Sequence, residues 1–316
     1  MILITGGMGF IGLHTARKFL DAGQSVVLTY HNTRREPDII KDEIGKRVFA
    51  EQVDVIDGAR LNEIADSHKV DSIVHLVAPG FGTPSVMEDY RTNLLGLLNV
   101  LDLSERLGVR RLTLASSSQT YLGLPEGPYR EDAFLPIDSR NATEAFKKAF
   151  EILGFHFADR TKIDIRAFRV RGVWGPLYYS MVNIPSRVCH AAVKGTEADF
   201  TGVPGGVPYE DDETDFCYVK DLAQGIVQLH MAENLTQRCY NLGSGETVHH
   251  KRLINAVREV VPDAKISMQP GSNPRPGPKN PVLDLSKSRE DLGYAPEYKV
   301  ERGVAEYIDW LKTHPQ

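Results

Sequence analysis

Three glycines near the N-terminus have the spacing of a turn that holds phosphate groups. Gly6, Gly9 and Gly12 follow one another at intervals of three residues, directly after a short apolar run. The first glycine permits a sharp turn, and the later ones let a pyrophosphate and a helix approach the backbone closely. The helix that follows offers free N–H groups and a positive dipole to phosphates. This spacing predicts a dinucleotide-binding turn, with a plain strand–helix corner as the alternative.

The elements around this turn alternate between short apolar runs and helical patterns. A helix is expected over residues 9–22, where apolar residues recur at helical spacing. Continuous apolar strands separated by helices indicate a parallel sheet covered on both faces. We therefore predict an α/β fold, a Rossmann-type doubly wound parallel sheet with a smaller C-terminal substrate lobe. The expected strands cover residues 2–4, 26–28, 47–50, 72–77, 111–115 and 163–169.

The amino-acid composition changes from Trp174 onward. Glycine and proline become frequent, most clearly in residues 202–208 and 270–281, which predicts a loop-rich lobe laid over the sheet. The predicted division has two discontinuous parts. Residues 1–172 and about 215–246 form the dinucleotide-binding domain, and about 173–214 with 247–316 form the substrate-binding lobe.

Charge and cysteine usage narrow the range of partners. The net charge of −5 gives no electrostatic reason to expect nucleic acid or an anionic membrane. No apolar run reaches the length of a membrane span, and the strand that begins at Ile2 leaves no room for a signal peptide. Cys189, Cys217 and Cys239 match neither a disulfide framework nor a zinc site. We expect reduced thiols, no bound metal and a cytoplasmic location.

The residues after the second strand bear on the choice of cofactor. An Asp or Glu there would bind the ribose hydroxyls and favour NAD. This segment instead has Asn32 and then Arg34 and Arg35, so NADP is slightly favoured over NAD, with solvated loop charges as the alternative. Asp54 and Val55 follow the third strand and are placed to meet the adenine. A plain helix cap is the alternative for Asp54.

Several further segments carry motifs in a fixed order. They are HLVA at residues 75–78, Asn93 with Gly96, ASSSQTY at 115–121, RVRGVWGP at 169–176, DFCYVKDLA at 215–223 and YNLGSG at 240–245. Together with the glycine turn they resemble the extended short-chain dehydrogenases/reductases, the nucleotide-sugar epimerase and dehydratase family. The resemblance covers essentially the whole chain and implies a nicotinamide-dependent enzyme. The expected cofactor-binding residues are Gly6, Gly9, Phe10, Ile11, Gly12, Asn32, Arg34, Arg35, Asp54, Val55, Leu76, Val77, Ala78, Asn93 and Lys147.

The catalytic pattern of this family is altered here. The family uses Tyr-x-x-x-Lys on a helix, together with a Ser or Thr at the end of the fifth strand, and the resemblance makes Ser117 that serine, with Ser118 a close second. A Glu four residues beyond the lysine anchors Lys147 as the match, so Thr143 stands in the place of the tyrosine. If Lys148 is aligned instead, Glu144 takes that place. No register restores a tyrosine.

This change matters because of acidity. A phenol with a pKa of about 10 must shift by roughly 3 units, or about 4 kcal/mol, to act as phenolate near neutrality, and a threonine hydroxyl is far weaker. Thr143 therefore cannot inherit the proton transfer. The replacement candidates are Tyr178 and Tyr179, which follow the Trp-Gly-Pro turn at residue 174, then Tyr129, Tyr121 and Ser117 through water. Packing is the alternative role for Tyr121.

The substrate lobe departs from the family as well. Thr214 occupies the place of an arginine that reaches the diphosphate in nucleotide-sugar members, and carboxylates fill residues 210–213. Four carboxylates at a site would repel a diphosphate, although an exposed acidic loop is the alternative. Arg275 falls on a position that often contacts the nucleotide. Arg275 thus favours a sugar-nucleotide substrate, whereas Thr214 and the acidic segment oppose it. On balance the sequence argues against a sugar nucleotide.

The sequence is compatible with three functions. The leading hypothesis is an NAD(P)-dependent oxidoreductase or epimerase with an altered triad that acts on a small hydroxy, carbonyl or sugar-like substrate. The alternatives are a lyase or isomerase that retains its cofactor and a non-enzymatic dinucleotide-binding protein. Predicted helices over residues 85–107 and 142–158 are apolar beyond one face and could form the interface of a homodimer.

Overall fold

The computed structural model describes residues 1–77, 85–203, 206–275 and 277–314. Its centre is a sheet of seven parallel strands in the order β3-β2-β1-β4-β5-β6-β8. The order reverses between β1 and β4, which creates the switch point where such sheets bind ligands. The predicted Rossmann-type fold is confirmed. The strands are β1 (Ile2–Thr5), β2 (Val26–Tyr30), β3 (Val48–Gln52), β4 (Ser72–His75), β5 (Leu112–Ala115), β6 (Ile165–Val170) and β8 (Cys239–Leu242).

The sequence missed the last of these strands and misplaced some strand ends. β8 pairs with β6, with Phe168 opposite Tyr240. Its four residues, Cys-Tyr-Asn-Leu, are too short and too polar for an apolar run to reveal them. β4 ends at His75, two residues before the predicted end, and β6 begins at Ile165, two residues after the predicted start.

Helices cover both faces of the sheet, as its apolar strands require. On one face α1 (Phe10–Asp21) packs on α8 (Val219–Met231), with Phe19 and Ile226 fully buried. A separate apolar cluster fills the other face. The helices there are α3 (Gly58–Ser67), α5 (Gly96–Leu107) and α6 (Ala142–Arg160).

The single helix predicted over residues 85–107 contains an irregular turn. It consists of α4 (Val86–Tyr90), a π-helical turn (Arg91–Leu95) and α5. The Asn93 side chain lies buried in that turn and donates to the Asp89 carbonyl at 2.8 Å. A Cβ at Gly96 would lie 2.7 Å from Cγ1 of Val55, so glycine there lets the helix pack beside the end of β3.

The C-terminal part of the chain has its own apolar core. Trp174 is 1% exposed and lies in this core with Tyr218 and Tyr307. Three helices of 11 to 14 residues contribute most of this core. The remaining elements are α2 (Asp38–Lys41), α7 (Ile184–Lys194), β7 (Glu213–Thr214), β9 (Val248–His249), α9 (His250–Val260), α10 (Ser286–Leu292) and α11 (Val300–Thr313).

The three cysteines are free and buried, as the sequence predicted. Burial raises the pKa of the Cys217 and Cys239 thiols well above the usual value, which keeps them protonated. Within the described ranges, no helix has both the length and the apolar character needed to cross a membrane.

Candidate active site

The glycine turn directs backbone donors toward the end of β1. Gly6 has a φ of +70°, in the left-handed region that favours glycine. A Cβ at Gly12 would lie 2.5 Å from the Gly7 carbonyl oxygen, so α1 can pack on the turn only with glycine there. α1 has no side-chain cap and no acidic residue in its first turn. Among the described residues, the N–H groups of Phe10, Ile11 and Gly12 have no hydrogen-bond partner, so they are available to an anion.

A cavity of about 710 Å³ lies in front of this turn, at the carboxyl ends of β1 to β4. Its position at the switch point and its size suit the adenosine half of a dinucleotide. Ala78 lies outside the described residues. The predicted residues that line the cavity are Gly6, Gly9, Asn32, Arg35, Asp54, Val55, Leu76 and Val77, and those missed are Met8, Thr29, Tyr30, His31, Thr33, Val53, Glu88 and Thr92.

The two arginines after β2 have different surroundings. Arg34 forms an exposed ion pair with Glu36 at 2.6 Å and does not line the cavity. Arg35 lines it, donates from Nη1 to the Met8 carbonyl at 3.2 Å and lies 4.6 Å over the ring of Tyr179. Only Arg35 of this pair is placed to meet a cofactor phosphate.

Buried contacts fix the start of α6. Asn141 caps the helix by accepting from the Glu144 N–H, and Glu144 accepts from the Arg140 N–H at 2.8 Å. The fully buried Glu144 carboxylate pairs with Lys148 at 2.7 Å. Lys148 also donates to the carbonyls of Pro136 and Asp138, so its ammonium is fully used inside the protein. Lys148 is therefore a structural residue.

Lys147, its neighbour, has a contrasting environment. Its side chain is 6% exposed, and its Nζ lies 4.7 Å over the ring of Phe150. In the part of the chain that the structure describes, this Nζ makes no hydrogen bond or ion pair. Burial lowers the pKa of Lys147 to about 8, although the Glu151 carboxylate opposes the shift. Phe150 also packs on His75, with ring centroids 5.7 Å apart, so Lys147 lies near the end of β4. Burial, together with the charge of Lys147, lowers the pKa of His75 to about 3.

Thr143 and Ser117, the other two positions that the sequence predicted for the triad, lie on α6 and on a turn that contacts the start of α6. Thr143 is half-buried on α6, one helical turn before Lys147. Ser117 lies after β5 and caps a 3₁₀ turn (Ser118–Tyr121) by accepting from the Gln119 N–H at 3.1 Å. Gln119 Oε1 accepts from Asn141 Nδ2 at 3.2 Å, which ties this turn to the start of α6.

Tyr121 belongs to a buried polar network. Its hydroxyl donates to Asn241 Oδ1 at 2.8 Å and accepts from Arg169 Nη1 at 2.8 Å. Arg169 pairs with Glu151, which also accepts from the Ser116 hydroxyl. Burial raises the pKa of Tyr121 above its usual range. A phenol held in this way packs the sheet end and does not exchange protons with a substrate.

The other tyrosines occupy three different places. Tyr178 packs on Phe10, with ring centroids 4.8 Å apart, and Tyr179 lies under Arg35, 50% exposed. Tyr129 stacks on Tyr121 and lines a second cavity, of about 400 Å³. Its hydroxyl has no hydrogen-bond partner among the described residues, and burial raises its pKa while the charge of Arg171 opposes the shift.

The second cavity lies at the ends of β5 and β6. Ser118, Tyr129, Arg140 and Arg171 contribute its polar groups. Sequence reasoning did not single out the two arginines. Arg171 stood inside a recognised motif, and a charged residue directly after a buried strand was the signal that could have revealed it.

A third cavity, of about 470 Å³, shares Arg171, Gly277 and Pro278 with the second and is lined by Asp211, Asp212 and Glu213. The last two carboxylates are half-buried. Asp212 accepts from the Asn273 N–H at 2.9 Å, and Glu213 accepts from the Thr247 hydroxyl at 2.7 Å. The acidic segment is thus part of a cavity wall. Arg275 is exposed and lines neither cavity.

The sequence profile of the NAD-dependent epimerase/dehydratase family matches residues 2–243. The chain belongs to this family and is an enzyme of this type. Family membership favours the enzymatic interpretations over a non-enzymatic dinucleotide-binding protein.

Curated relatives include decarboxylases and epimerases. UDP-glucuronic acid decarboxylase 6 of Arabidopsis thaliana is 29% identical over 313 residues, which is 96% of this chain and 86% of the relative. A probable UDP-glucuronate 4-epimerase of Rhizobium meliloti is 26% identical over 343 residues, covering 98% of this chain and 96% of the relative.

Two solved structures share the fold. A UDP-glucose 4-epimerase from Thermotoga maritima, solved with UDP-glucose, has a TM-score of 0.83 at 19% identity, covering 100% of this chain and 99% of that chain. A UDP-glucose 4-epimerase from Thermus thermophilus, solved with NAD, has a TM-score of 0.79 at 23% identity, covering 99% of each chain.

Proposed function

We propose that this protein binds NAD and acts as an epimerase- or decarboxylase-like enzyme on a sugar-like hydroxyl substrate, with an altered proton-transfer group. When bound, NAD supplies the oxidation and re-reduction of one substrate carbon. The similarity to UDP-glucuronic acid decarboxylases and a probable UDP-glucuronate 4-epimerase supports the sugar class. The two NAD-related features of this chain are the glycine cradle and the cavity at the switch point.

The unpartnered ammonium of Lys147 is the observation that carries this proposal. A buried cation without a partner costs free energy, and the cost is recovered when ligand oxygens reach it. Lys147 lies on α6 over Phe150, whose ring packs on His75 at the end of β4, directly before Leu76 and Val77 of the cofactor cavity. Lys148 cannot replace it because Glu144 holds it. In this proposal Lys147 donates to the ribose hydroxyls of the cofactor.

Tyr129 is the phenol that we assign to proton transfer in place of Thr143. It lines the same cavity as Ser118, its hydroxyl is unpartnered within the described ranges, and its raised pKa keeps it protonated at neutral pH. A protonated phenol can return a proton to the substrate oxygen during re-reduction, whereas the proton that the hydroxyl loses during oxidation passes to water beside Ser118, which lines the same cavity. Tyr178 and Tyr179 line neither this cavity nor the acidic one, although the sequence favoured them.

An isotope experiment tests the reaction type. The protein is incubated with NAD and with UDP-glucose or UDP-glucuronic acid carrying deuterium at C4, and the products are identified by mass spectrometry. Retained deuterium is expected, because a hydride that leaves and returns through the cofactor does not exchange with water. Loss of deuterium to solvent would favour the lyase or isomerase alternative, and absence of turnover with both sugars would contradict a sugar-nucleotide substrate.

Two variants test the assignment of the proton donor. Tyr129→Phe should lower kcat at least a hundredfold while the Kd for NAD stays the same, and Tyr178→Phe serves as the matched control. Thr143→Tyr should raise kcat, since it restores a phenol one turn before Lys147. Equal losses in both Tyr→Phe variants would contradict the role of Tyr129.

We also propose a slight preference for NADP over NAD and the formation of a homodimer. NADP selection depends on Arg35, since Arg34 is paired with Glu36. Val86, Leu98 and Ile152 are at least half exposed on the helices that the sequence assigned to a homodimer interface. Light scattering that showed only monomer at working concentration would contradict the dimer.

A further inference from the structure

The cavity beside Tyr129 contains two guanidinium groups that have no acidic partner. Arg171 makes no hydrogen bond or ion pair with any described residue, and its Nε is buried without a partner. The Arg140 side chain likewise has no ion pair within the described ranges. No Asp or Glu of the described chain lines this cavity of about 400 Å³. The cavity therefore has a concentrated positive charge.

Arg169 shows how the protein satisfies a buried arginine when the role is structural. Two residues before Arg171, it is 4% exposed and donates to Glu151 through two nitrogens and to the Tyr121 hydroxyl. Asp215, whose pKa Arg171 helps to lower against burial, already accepts from the Ser244 N–H and hydroxyl and from the Leu283 N–H. Asp211, Asp212 and Glu213 line the adjoining cavity with Arg171, yet none of them forms an ion pair with it in the described part of the chain. A buried donor left unsatisfied destabilises a protein, so the Nε of Arg171 calls for an external acceptor.

Arg140 reaches the same cavity from the segment before α6. Its Nη2 would lie 3.3 Å from a Cβ built on Gly123, whose φ of +101° is in the left-handed region, so glycine leaves room for the guanidinium. The Arg140 backbone is held by Glu144. Because α6 also carries Thr143 and Lys147, the position of Arg140 is linked to the catalytic helix.

The adjoining acidic cavity decides what kind of anion fits. Asp211, Asp212 and Glu213 repel a diphosphate in the acidic cavity, whereas Arg140 attracts an anion toward Ser118 and Tyr129, and Arg171 lies where the two cavities meet. A guanidinium donates two parallel N–H groups to a planar carboxylate, which matches its geometry.

We propose that Arg171 and Arg140 form a carboxylate subsite at the reacting end of the pocket, so that the substrate carries a carboxylate next to the carbon that reacts. This inference rests on the proposed function, since it names the substrate class of the same site. It goes further by assigning the recognition to two residues of this chain. In the bound complex the carboxylate accepts from Arg171 and Arg140 while Tyr129 faces the neighbouring hydroxyl.

Binding experiments on the NAD-loaded protein test this subsite with two ligand pairs that differ in a carboxylate. Calorimetry compares UDP-glucuronic acid with UDP-glucose, and glucuronate with glucose. At least one carboxylate member should bind at least tenfold more tightly than its neutral counterpart. If neither does, the proposal is overturned.

Variants locate the preference on the two arginines. Arg171→Leu and Arg140→Leu should each reduce the affinity for the preferred carboxylate tenfold or more and leave the neutral counterpart unchanged, and Arg171→Lys should restore part of the loss. Arg130→Leu, which removes an exposed arginine paired with Asp132, is the matched control and should change nothing. Equal losses for the charged and neutral ligands would overturn the proposal.

Two further measurements decide the outcome if a variant does not fold or does not bind NAD. If Arg171→Leu fails to fold, Arg140→Leu still decides, because Arg140 is exposed and its backbone contact does not depend on its side chain. NAD titration of each variant separates this subsite from the proposed function. Loss of the carboxylate preference with NAD binding intact concerns the subsite alone, whereas a protein that binds no NAD contradicts the proposed function whatever the carboxylate result.

Discussion

The cofactor cavity beside the glycine turn and the cavity beside Arg171 lie along the same edge of the sheet but are built differently. Backbone groups form much of the first: a left-handed Gly6, a close contact at Gly12 and free N–H groups at the start of α1. Side chains that follow β5 and β6, together with Arg140 just before α6, form much of the second. Backbone geometry of the first kind requires glycine at fixed positions, so the sequence reveals it. Side chains of the second kind come from separate segments of the chain, so no fixed spacing marks them.

The largest expected effect is a loss of stability without a loss of NAD binding, at Lys148 on α6. Lys148→Met should lower the free energy of unfolding by about 3–5 kcal/mol, because it leaves the buried Glu144 carboxylate without its partner. Its Kd for NAD should change little in the folded fraction. Urea unfolding followed by circular dichroism measures the loss. A stability equal to that of the wild type would show that Glu144 is not held by this pair.

Lys147 should produce a pH dependence of stability with a defined sign. Its pKa is about 8 in the folded protein and 10.5 in the unfolded chain, so between these values the unfolded chain binds more protons. The buried thiols act in the opposite direction in this pH range, so the contribution of Lys147 is measured as the difference between two proteins. The free energy of unfolding of the NAD-free wild type should therefore rise with pH between about 8 and 10.5, by up to about 3 kcal/mol, relative to that of Lys147→Met. That variant should also bind NAD at least tenfold more weakly, and unchanged NAD binding would contradict the assignment of Lys147.

A glycine pair tests whether the cofactor region depends on backbone geometry. Gly12→Ala should destabilise the protein by about 1–3 kcal/mol and weaken NAD binding, because its Cβ would lie 2.5 Å from a backbone oxygen. At Gly9 the nearest atom to a Cβ is 3.1 Å away, so Gly9→Ala should have the smaller effect. Thermal unfolding and NAD titration measure both variants. Equal effects would mean that the close packing of α1 on the turn is not the reason for Gly12.

The smallest expected effect concerns the 2′-phosphate. Arg35→Ala should weaken NADP binding by about 1 kcal/mol, or roughly fivefold, and leave NAD binding unchanged. Arg34→Ala is the matched control and should alter neither, since Arg34 pairs with Glu36 outside the cavity. Fluorescence titration with both dinucleotides provides the measurement. An effect of Arg34→Ala on NADP would reverse the roles of the two arginines.

The sequence predicted the sheet and the cofactor residues better than the reacting end, for physical reasons. Strands buried on both faces are apolar throughout, so β1 to β6 were visible as runs, whereas β8 was not. Eight predicted residues line the cofactor cavity because the ends of neighbouring parallel strands must meet. The different roles of Lys147 and Lys148 depend on the partners of each side chain, and spacing alone does not reveal those partners. The division of the chain at residues 172, 215 and 246 stays a prediction.

Tyr129 and Arg171 illustrate what local patterns cannot show. Tyr129 reaches the second cavity through a stretch without regular structure, and its backbone pairs with Leu283 far along the chain. Whether Arg171 has a partner depends on Asp215, which Ser244 and Leu283 already occupy. Such information lies in contacts between distant segments, so only the folded chain reveals it.

Asn241 completes a buried polar network whose other members are synthesised long before it. Its side chain accepts from Tyr121, 120 residues earlier, and its strand covers the edge of β6. Until residue 241 leaves the ribosome, that edge is open to pairing with other chains, and burying the Tyr121 hydroxyl without its acceptor would cost about 1–3 kcal/mol. The glycine turn is made early, yet the sheet that supports it is completed only when β8 is made, after its other six strands.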